Sequence, residues 1–358
     1  MIIATPLSSG LRALCRTGAK PIIWRIPSPA PVTTTSSSPI ADHDSIAADM
    51  LQVDAVIAGR LHSGVPLVGQ ISHYILGAGG KRIRPKLLLL CCRALGCEDP
   101  RRHELAAVVE FIHTATLLHD DVVDDSSLRR GRATANAAFG NPASVLVGDF
   151  LYSRAFQMMV EANSMRVMEV LAEATNVIAE GEVLQLMNMH NADLTQAQYT
   201  EVIRSKTAKL FEASARVGAI LAQATPAHEE ACARYGQALG TAFQMIDDVL
   251  DYTGDADLMG KNLGDDLREG KATLPLIAAM ERSTAEDAQT VRRAIENGDE
   301  RQLAAIVAIV QSTGAANVAM DAAKAQAELA VAAALELPDG PYTQFMVGLA
   351  RQSITRST

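Results

Sequence analysis

From Asp42 onward, apolar residues return every three or four positions and almost nowhere in strict alternation. The stretch ADMLQVDAVIAGRL, residues 48–61, sets the pattern. Spacing of this kind marks amphipathic helices rather than strands. It recurs over 66–77, 84–95, 103–121, 142–160, 164–190, 196–222, 227–252, 273–282, 285–296, 300–312, 315–335 and 342–353. Breaks fall at Gly79-Gly80, Gly96 to Pro100, Gly140 to Pro142, Thr225-Pro226, Gly254 to Gly270 and Pro338 to Pro341. The segments 142–160 and 227–252 are apolar around more than one face, as the inner helices of a large bundle are. The pattern predicts one all-α domain with no internal linker. An aromatic share of only 4%, beside abundant Ala, Leu and Met, agrees with helix over strand.

Residues 1–41 break the pattern. They carry Arg12, Arg16, Lys20 and Arg25 with no acid before Asp42, then the tract PVTTTSSSP. Organellar transit peptides, disordered extensions and misplaced start sites share such a composition. The segment is therefore read as a disordered extension outside the fold, leaving 42–358 as the domain.

Charge narrows the partners. The chain has 32 basic and 41 acidic residues, a net charge of −9, which leaves no nucleic-acid footprint. The five cysteines (Cys15, Cys91, Cys92, Cys97, Cys232) show no zinc-type pairing and read as small core residues in a reducing compartment. No apolar run approaches the roughly 20 residues that span a bilayer. The chain is accordingly expected to be cytoplasmic, without a transmembrane segment.

Candidate chemistry begins where the helix over 103–121 ends. At 100° per residue, His113, Leu117, Asp120 and Asp124 fall within roughly 30° of the centre of one stripe, with Asp121 one step round. Three carboxylates at i, i+1 and i+4 repel one another unless a cation joins them. Mg²⁺ takes oxygen ligands and commonly joins one or two carboxylates to substrate phosphates. A second trio, Asp247, Asp248 and Asp251, closes the apolar run ALGTAFQMI. Two trios closing helices from opposite halves of the chain predict one metal cluster between facing helices.

Basic residues gather near the breaks: Lys81 and Arg84 after Gly79-Gly80, Arg129-Arg130 after the first trio, Lys206-Thr207 within a helix, and Lys261 and Lys271 around a loop with Asp265, Asp266 and Glu269. A helix start such as the first favours anions. Beside two Mg²⁺-type trios, these groups suggest two diphosphate sites, one bridged by metal and one gripped by Lys and Arg alone.

The strings GGKRIRPKL, HTATLLHDDVVDDSSLRRGRATAN, EGEVLQLMN, SKTAKLFEASA, FQMIDDVLDY and GDDLREGKATLPL resemble the trans-prenyl diphosphate synthase family, from about residue 40 to 276. The resemblance is greatest to long-chain bacterial members of the octaprenyl type. It implies a helical bundle of the isoprenoid synthase type around a central apolar cavity. It implies that Mg²⁺ binds Asp120, Asp124, Asp247, Asp248 and Asp251, with Asp121 beside them. Arg129, Lys206, Thr207, Gln244, Lys261 and Lys271 are then expected to contact the allylic diphosphate. Lys81, Arg84, His113 and Arg130 are expected to hold isopentenyl diphosphate. Allylic C–O cleavage would generate a cation that alkylates the second substrate, and the departing diphosphate would take the proton. Farnesyl diphosphate is the favoured primer, and the membrane-destined product would serve the ubiquinone side chain. Relatives are mostly homodimers. Ala133 and Ala272 stand where many relatives carry proline, which removes no ligand.

In that family, bulky residues four and five positions before the first DDxxD stop elongation early. Ala115 and Thr116 are small, so the growing chain is expected to pass them and meet Phe156, Met158 and Met159. A terpene cyclase is disfavoured, because both acidic motifs and the GGKRIRP loop are intact. The remaining alternative is a non-catalytic regulatory subunit of a heteromeric synthase. Such subunits generally lose aspartates, and all six are present.

Overall fold

The computed structural model describes residues 39–77, 79–253 and 263–355. The amino-terminal extension expected over residues 1–41 and the candidate Lys261 lie outside the described residues, save the first residues of helix α1. The helices are α1 (Pro39–Arg60), α2 (Pro66–Leu76), α3 (Ile83–Ala94), α4 (Arg101–Val123), α5 (Ala135–Phe139), α6 (Asn141–Glu161), α7 (Met165–Asn188), α8 (Gln196–Ile203) and α9 (Lys209–Leu221). They continue through α10 (Pro226–Thr253), α11 (Asp265–Arg268), α12 (Leu274–Arg282), α13 (Ala285–Asn297), α14 (Leu303–Ser312), α15 (Ala315–Ala334) and α16 (Pro341–Ser353). Proline in the first turn of α2, α6, α12 and α16 starts helices at no hydrogen-bond cost, since those N–H groups have no partner anyway. Thr195 and Gln198 close a capping box at the start of α8.

The central helix is α10, buried on most of its circumference, as its all-round apolar sequence requires. It packs against α9 on one side and α15 on the other. Alanines 315, 319, 323, 327, 330 and 334 are all fully buried on α15. Side chains that small let two helix backbones approach closely. On the other flank, α4 packs between α3 and α6, and Leu87 to Leu90 of α3 are wholly buried. Each such leucine contributes on the order of 2 kcal/mol of burial free energy. Cys91, Cys92, Cys97 and Cys232 are free and buried, as the sequence suggests. Among the described residues no single helix is long and apolar enough to cross a membrane.

Two local departures from the sequence pattern matter for the site. Residues 196–222, which read as one helix, are interrupted by a π-helical turn at Arg204–Ala208, where one extra residue is accommodated. Where no strand stood out, Leu128–Arg129 and Arg132–Ala133 form a two-stranded antiparallel ribbon. Its turn residues Arg130 and Gly131 both have positive φ, 53° and 70°. That is the twist a two-residue hairpin favours.

Candidate active site

Helix α4 delivers its stripe as spaced. His113, Leu117, Asp120 and Asp124 all line one cavity of about 930 Å³. Asp121 does not. It is fully buried and accepts hydrogen bonds from Arg129 Nη2 at 2.7 Å and Nε at 3.0 Å. From the opposite side, α10 brings Asp247 and Asp248 to the same cavity. Asp251 turns inward, fully buried, and accepts the backbone N–H of Asp266 at 3.2 Å.

Both trios end their helices at the carboxyl terminus, the negative pole of the helix dipole. Carboxylates there are disfavoured unless cations offset them. Two lysines do so for the first trio, each shared with a glutamate. Lys206 Nζ lies 3.6 Å from Asp120 and 2.6 Å from Glu182. Lys271 Nζ lies 3.1 Å from Asp124 and 2.5 Å from Glu269. Burial alone would lower the Lys206 pKa, but Asp120 and Glu182 outweigh it and the net shift is upward. Burial, with Asp120 and Asp124 nearby, pushes Glu182 and Glu269 up to about 7 despite their lysines. Nothing in the sequence marks Glu182 or Glu269 as an ion-pair partner, although both fall inside its distinctive strings.

A hydrogen-bonded chain supports the second trio. Thr207 Oγ1 donates to Gln244 Oε1 at 3.0 Å, Gln244 Nε2 donates to Asp248 Oδ1 at 2.7 Å, and the Tyr199 hydroxyl donates to Asp248 Oδ2 at 2.6 Å. Burial and Asp266 push Asp248 up to about 8 in spite of these donors. Tyr199 carried no signal in the sequence.

The sequence predicts one metal cluster held between the two trios, with Asp120, Asp124, Asp247, Asp248 and Asp251 as its ligands. Among the described residues, no three His, Cys, Asp or Glu side chains gather closely enough to hold an ion. The trios face each other across an open cavity, Lys206 and Lys271 neutralise Asp120 and Asp124, and Asp121 and Asp251 are committed elsewhere. The donor set still fits a hard divalent cation, since Asp120, Asp124, Asp247 and Asp248 open on the cavity and offer only oxygen.

The other end of the cavity is basic. Lys81, Arg82, Arg84, His113, Arg129 and Arg130 all line it. Arg82 occupies the left-handed region at φ 47° as it starts α3, and donates to Glu110 Oε1 at 2.9 Å. The Arg84 guanidinium stacks 4.5 Å from the centre of the Phe211 ring. Its Nε has no hydrogen-bond partner among the described residues, and burial pulls its pKa down to about 10. Glu110 and Asp247 attract this cation, but its Nε still has a donor to offer. Burial and Arg84 push the His113 pKa well below its usual value, so the imidazole is neutral. Arg130 sits on the ribbon turn and donates to the carbonyl of Gly79.

Below Asp120 the cavity meets a second, more apolar one of about 640 Å³ between α4, α6 and α7. The two share Thr116, Asp120, Glu182, Gln185 and Met189. Of the residues expected to bound the growing chain, Thr116 and Phe156 line this second cavity. Ala115, Met158 and Met159 do not. They are 0%, 1% and 1% exposed and belong to the packed core. The wall is instead completed by Tyr152, Ile178, Ala179 and Val183, among others. Tyr152 stacks on His119, with ring centres 6.0 Å apart.

Comparison with known proteins bears on this arrangement. Residues 65–311 match the family model described as polyprenyl synthetase. The octaprenyl diphosphate synthase of Escherichia coli is 53% identical over 311 residues, 87% of this chain and 96% of that protein. The all-trans-nonaprenyl-diphosphate synthase of Rhodobacter capsulatus is 46% identical over 313 residues, 87% and 96% of the two chains. A polyprenyl synthase of Caulobacter crescentus, solved with calcium and isoprenyl diphosphate, superposes with a TM-score of 0.86 at 44% identity. That match covers 91% of this chain and all of the other. With two aspartate trios across a cavity from a basic helix start, and with relatives this similar over nearly the full length, the chain belongs to the polyprenyl synthetase family and is a trans-polyprenyl diphosphate synthase.

Proposed function

We propose that this chain condenses isopentenyl diphosphate repeatedly with an allylic primer, farnesyl diphosphate, and releases octaprenyl diphosphate for a ubiquinone side chain. The observation that carries the reading is the continuity of the two cavities. A charged chamber with an acidic and a basic pole opens, beside Asp120, into an apolar one large enough for a growing chain. Octaprenyl is chosen because of the 53% identity to the Escherichia coli enzyme, with nonaprenyl the nearest alternative length.

Each residue's part follows from its chemistry. Asp120, Asp124, Asp247 and Asp248 would hold Mg²⁺, which when bound offsets the charge on the allylic diphosphate as the C–O bond breaks. Lys206, Lys271 and Arg129 add fixed positive charge where the leaving group forms, and Thr207 and Gln244 contact the same diphosphate from the Asp248 side of the cavity. Asp121 and Asp251 act indirectly, by fixing Arg129 and the Asp266 backbone. Lys81, Arg84 and Arg130 bind isopentenyl diphosphate without metal, and neutral His113 beside them offers a hydrogen bond without adding charge. Lys261 is assigned to the allylic side on the resemblance alone. The apolar walls exclude water, which would otherwise quench the allylic cation.

We further propose that the enzyme is a cytoplasmic homodimer whose catalytic domain is 42–358. In support, Leu146 and Val160 of α6 and Val183, Leu186 and Met187 of α7 are large, apolar and more than half exposed.

The test is to incubate the purified chain alone with farnesyl diphosphate, labelled isopentenyl diphosphate and Mg²⁺, and to size the product. Octaprenyl diphosphate is expected. No product without a second polypeptide would favour the regulatory-subunit reading instead.

A further inference from the structure

The π-helical turn at Arg204–Ala208 presents Lys206 and Thr207 to the cavity, and it is clasped from two sides by helices that offer glycine. On α7, a Cβ built on Gly181 would lie 2.7 Å from the backbone nitrogen of Lys206, 2.8 Å from Ser205 Cβ and 2.9 Å from the Ser205 carbonyl carbon. On α10, a Cβ on Gly240 would lie 2.8 Å from the Cα of Ala208 and 3.0 Å from Phe211 Cβ. Neither space tolerates a methyl group unless backbone moves. Hydrogen at these two positions therefore fixes how deeply the turn sits between the helices.

Each clasping helix also supplies the acceptor for the side chain it seats. Glu182, the residue after Gly181, takes the Lys206 ammonium at 2.6 Å. Gln244, one turn on from Gly240, takes the Thr207 hydroxyl at 3.0 Å. The backbone seat and the side-chain anchor thus come in pairs, one pair per helix. The π turn itself is a departure from regular geometry, with the N–H of Lys209 reaching back five residues to the carbonyl of Arg204. Such turns occur frequently at functional sites. A regular α-helix here would rotate the residues beyond the insertion by about 100°, taking Lys206 and Thr207 off their partners.

We infer that Gly181 and Gly240 are positioning residues for allylic diphosphate binding, setting the depth of the π turn and so the reach of Lys206 and Thr207. The inference rests on the reading that these two side chains meet the allylic substrate. Neither glycine touches substrate in this account. Their role is to let α7 and α10 close on the turn.

The experiment measures KM for farnesyl and for isopentenyl diphosphate, kcat and Tm in Gly181→Ala, Gly240→Ala and Lys206→Ala. For both glycine variants, the farnesyl KM should rise tenfold or more while the isopentenyl KM stays within twofold. A lower Tm with both KM values unchanged would mean the glycines serve packing only, and would overturn the inference. Equal rises in both KM values would overturn it too. Should Gly181→Ala yield no folded protein, Gly240→Ala reads the same ratio from the other helix. Lys206→Ala separates the two levels. A raised farnesyl KM there with unmoved glycine variants defeats the inference alone, whereas an unmoved farnesyl KM there defeats the substrate assignment beneath it.

Discussion

Arg84 carries a conflict between stability and binding that can be measured as two effects of opposite sign. Its guanidinium borders the cavity, stacked on Phe211, with Nε buried and unpartnered. Burial outweighs attraction to Glu110 and Asp247, because the pKa falls to about 10 rather than rising. The charged form is therefore held at a net cost before substrate arrives. Arg84→Met keeps most of the bulk and removes the charge. Replacing such a cation with an apolar group of similar volume should stabilise the free protein, by on the order of 1–3 kcal/mol. Loss of the favourable contact with the Phe211 face, about 1–2 kcal/mol, offsets much of the gain and leaves a small net stabilisation at the middle of both ranges. Binding should move the other way. Hydrogen bonds to a charged group contribute about 1.5–3 kcal/mol each, so losing one weakens isopentenyl diphosphate roughly 10- to 150-fold. Thermal unfolding of the ligand-free protein reads the first effect, and steady-state kinetics with isopentenyl diphosphate varied reads the second. A lower Tm together with an unchanged isopentenyl KM would refute the reasoning on both counts.

Other outcomes follow from the same geometry. Asp49, 4% exposed, accepts from Arg93 at 2.8 and 3.1 Å, from Arg102 at 3.2 Å and from His103 at 2.8 Å. Asp49→Ala should destabilise by roughly 3–5 kcal/mol in chemical denaturation, because buried cations lose their counter-charge. Burial opposes the ion pairs but the Asp49 pKa is net lowered, so its contribution is present above the ordinary carboxylate pKa and fades as pH falls through the folded value. The gap between wild type and variant should accordingly narrow below about pH 4. Thr116 lies four residues, about 6 Å, from Asp120 and borders both cavities. Thr116→Phe should cut the product to short chains with activity retained, and an unchanged product by chromatography would place the growing chain elsewhere. Ala115→Phe should instead overpack the core by about 1–3 kcal/mol, seen as a lowered Tm.

The sequence made some of this legible and hid the rest for identifiable reasons. Helical period carried the stripe of His113, Leu117, Asp120 and Asp124 directly to the cavity wall, because side-chain direction on a regular helix is fixed by position. The same rule could not say which aspartate of each trio turns inward. Asp121 and Asp251 are set by partners distant in the fold or beyond a loop, Arg129 and the Asp266 N–H. Met158 and Met159 against Phe156 shows a second limit. An apolar cavity wall and an apolar core use the same residue types, so only packing tells the two methionines in the core from the phenylalanine on the second cavity. The π turn was invisible because SKTAKLF has ordinary helical composition. The helices that close on it do so at Gly181 and Gly240, which lie far from it in sequence. The turn at Arg130-Gly131 left only a glycine as its sign, with Arg130 at φ 53°.

The central claim is that the two aspartate trios, from opposite halves of the chain, serve one reaction at one cavity. Single-turnover and steady-state rates of Asp120→Ala and Asp247→Ala, with circular dichroism to establish that each is folded, test it most directly. Both variants should lose on the order of 10³-fold or more in turnover, since each removes charge compensation at the developing leaving group. A near wild-type rate in either one, with the fold intact, would contradict a shared site.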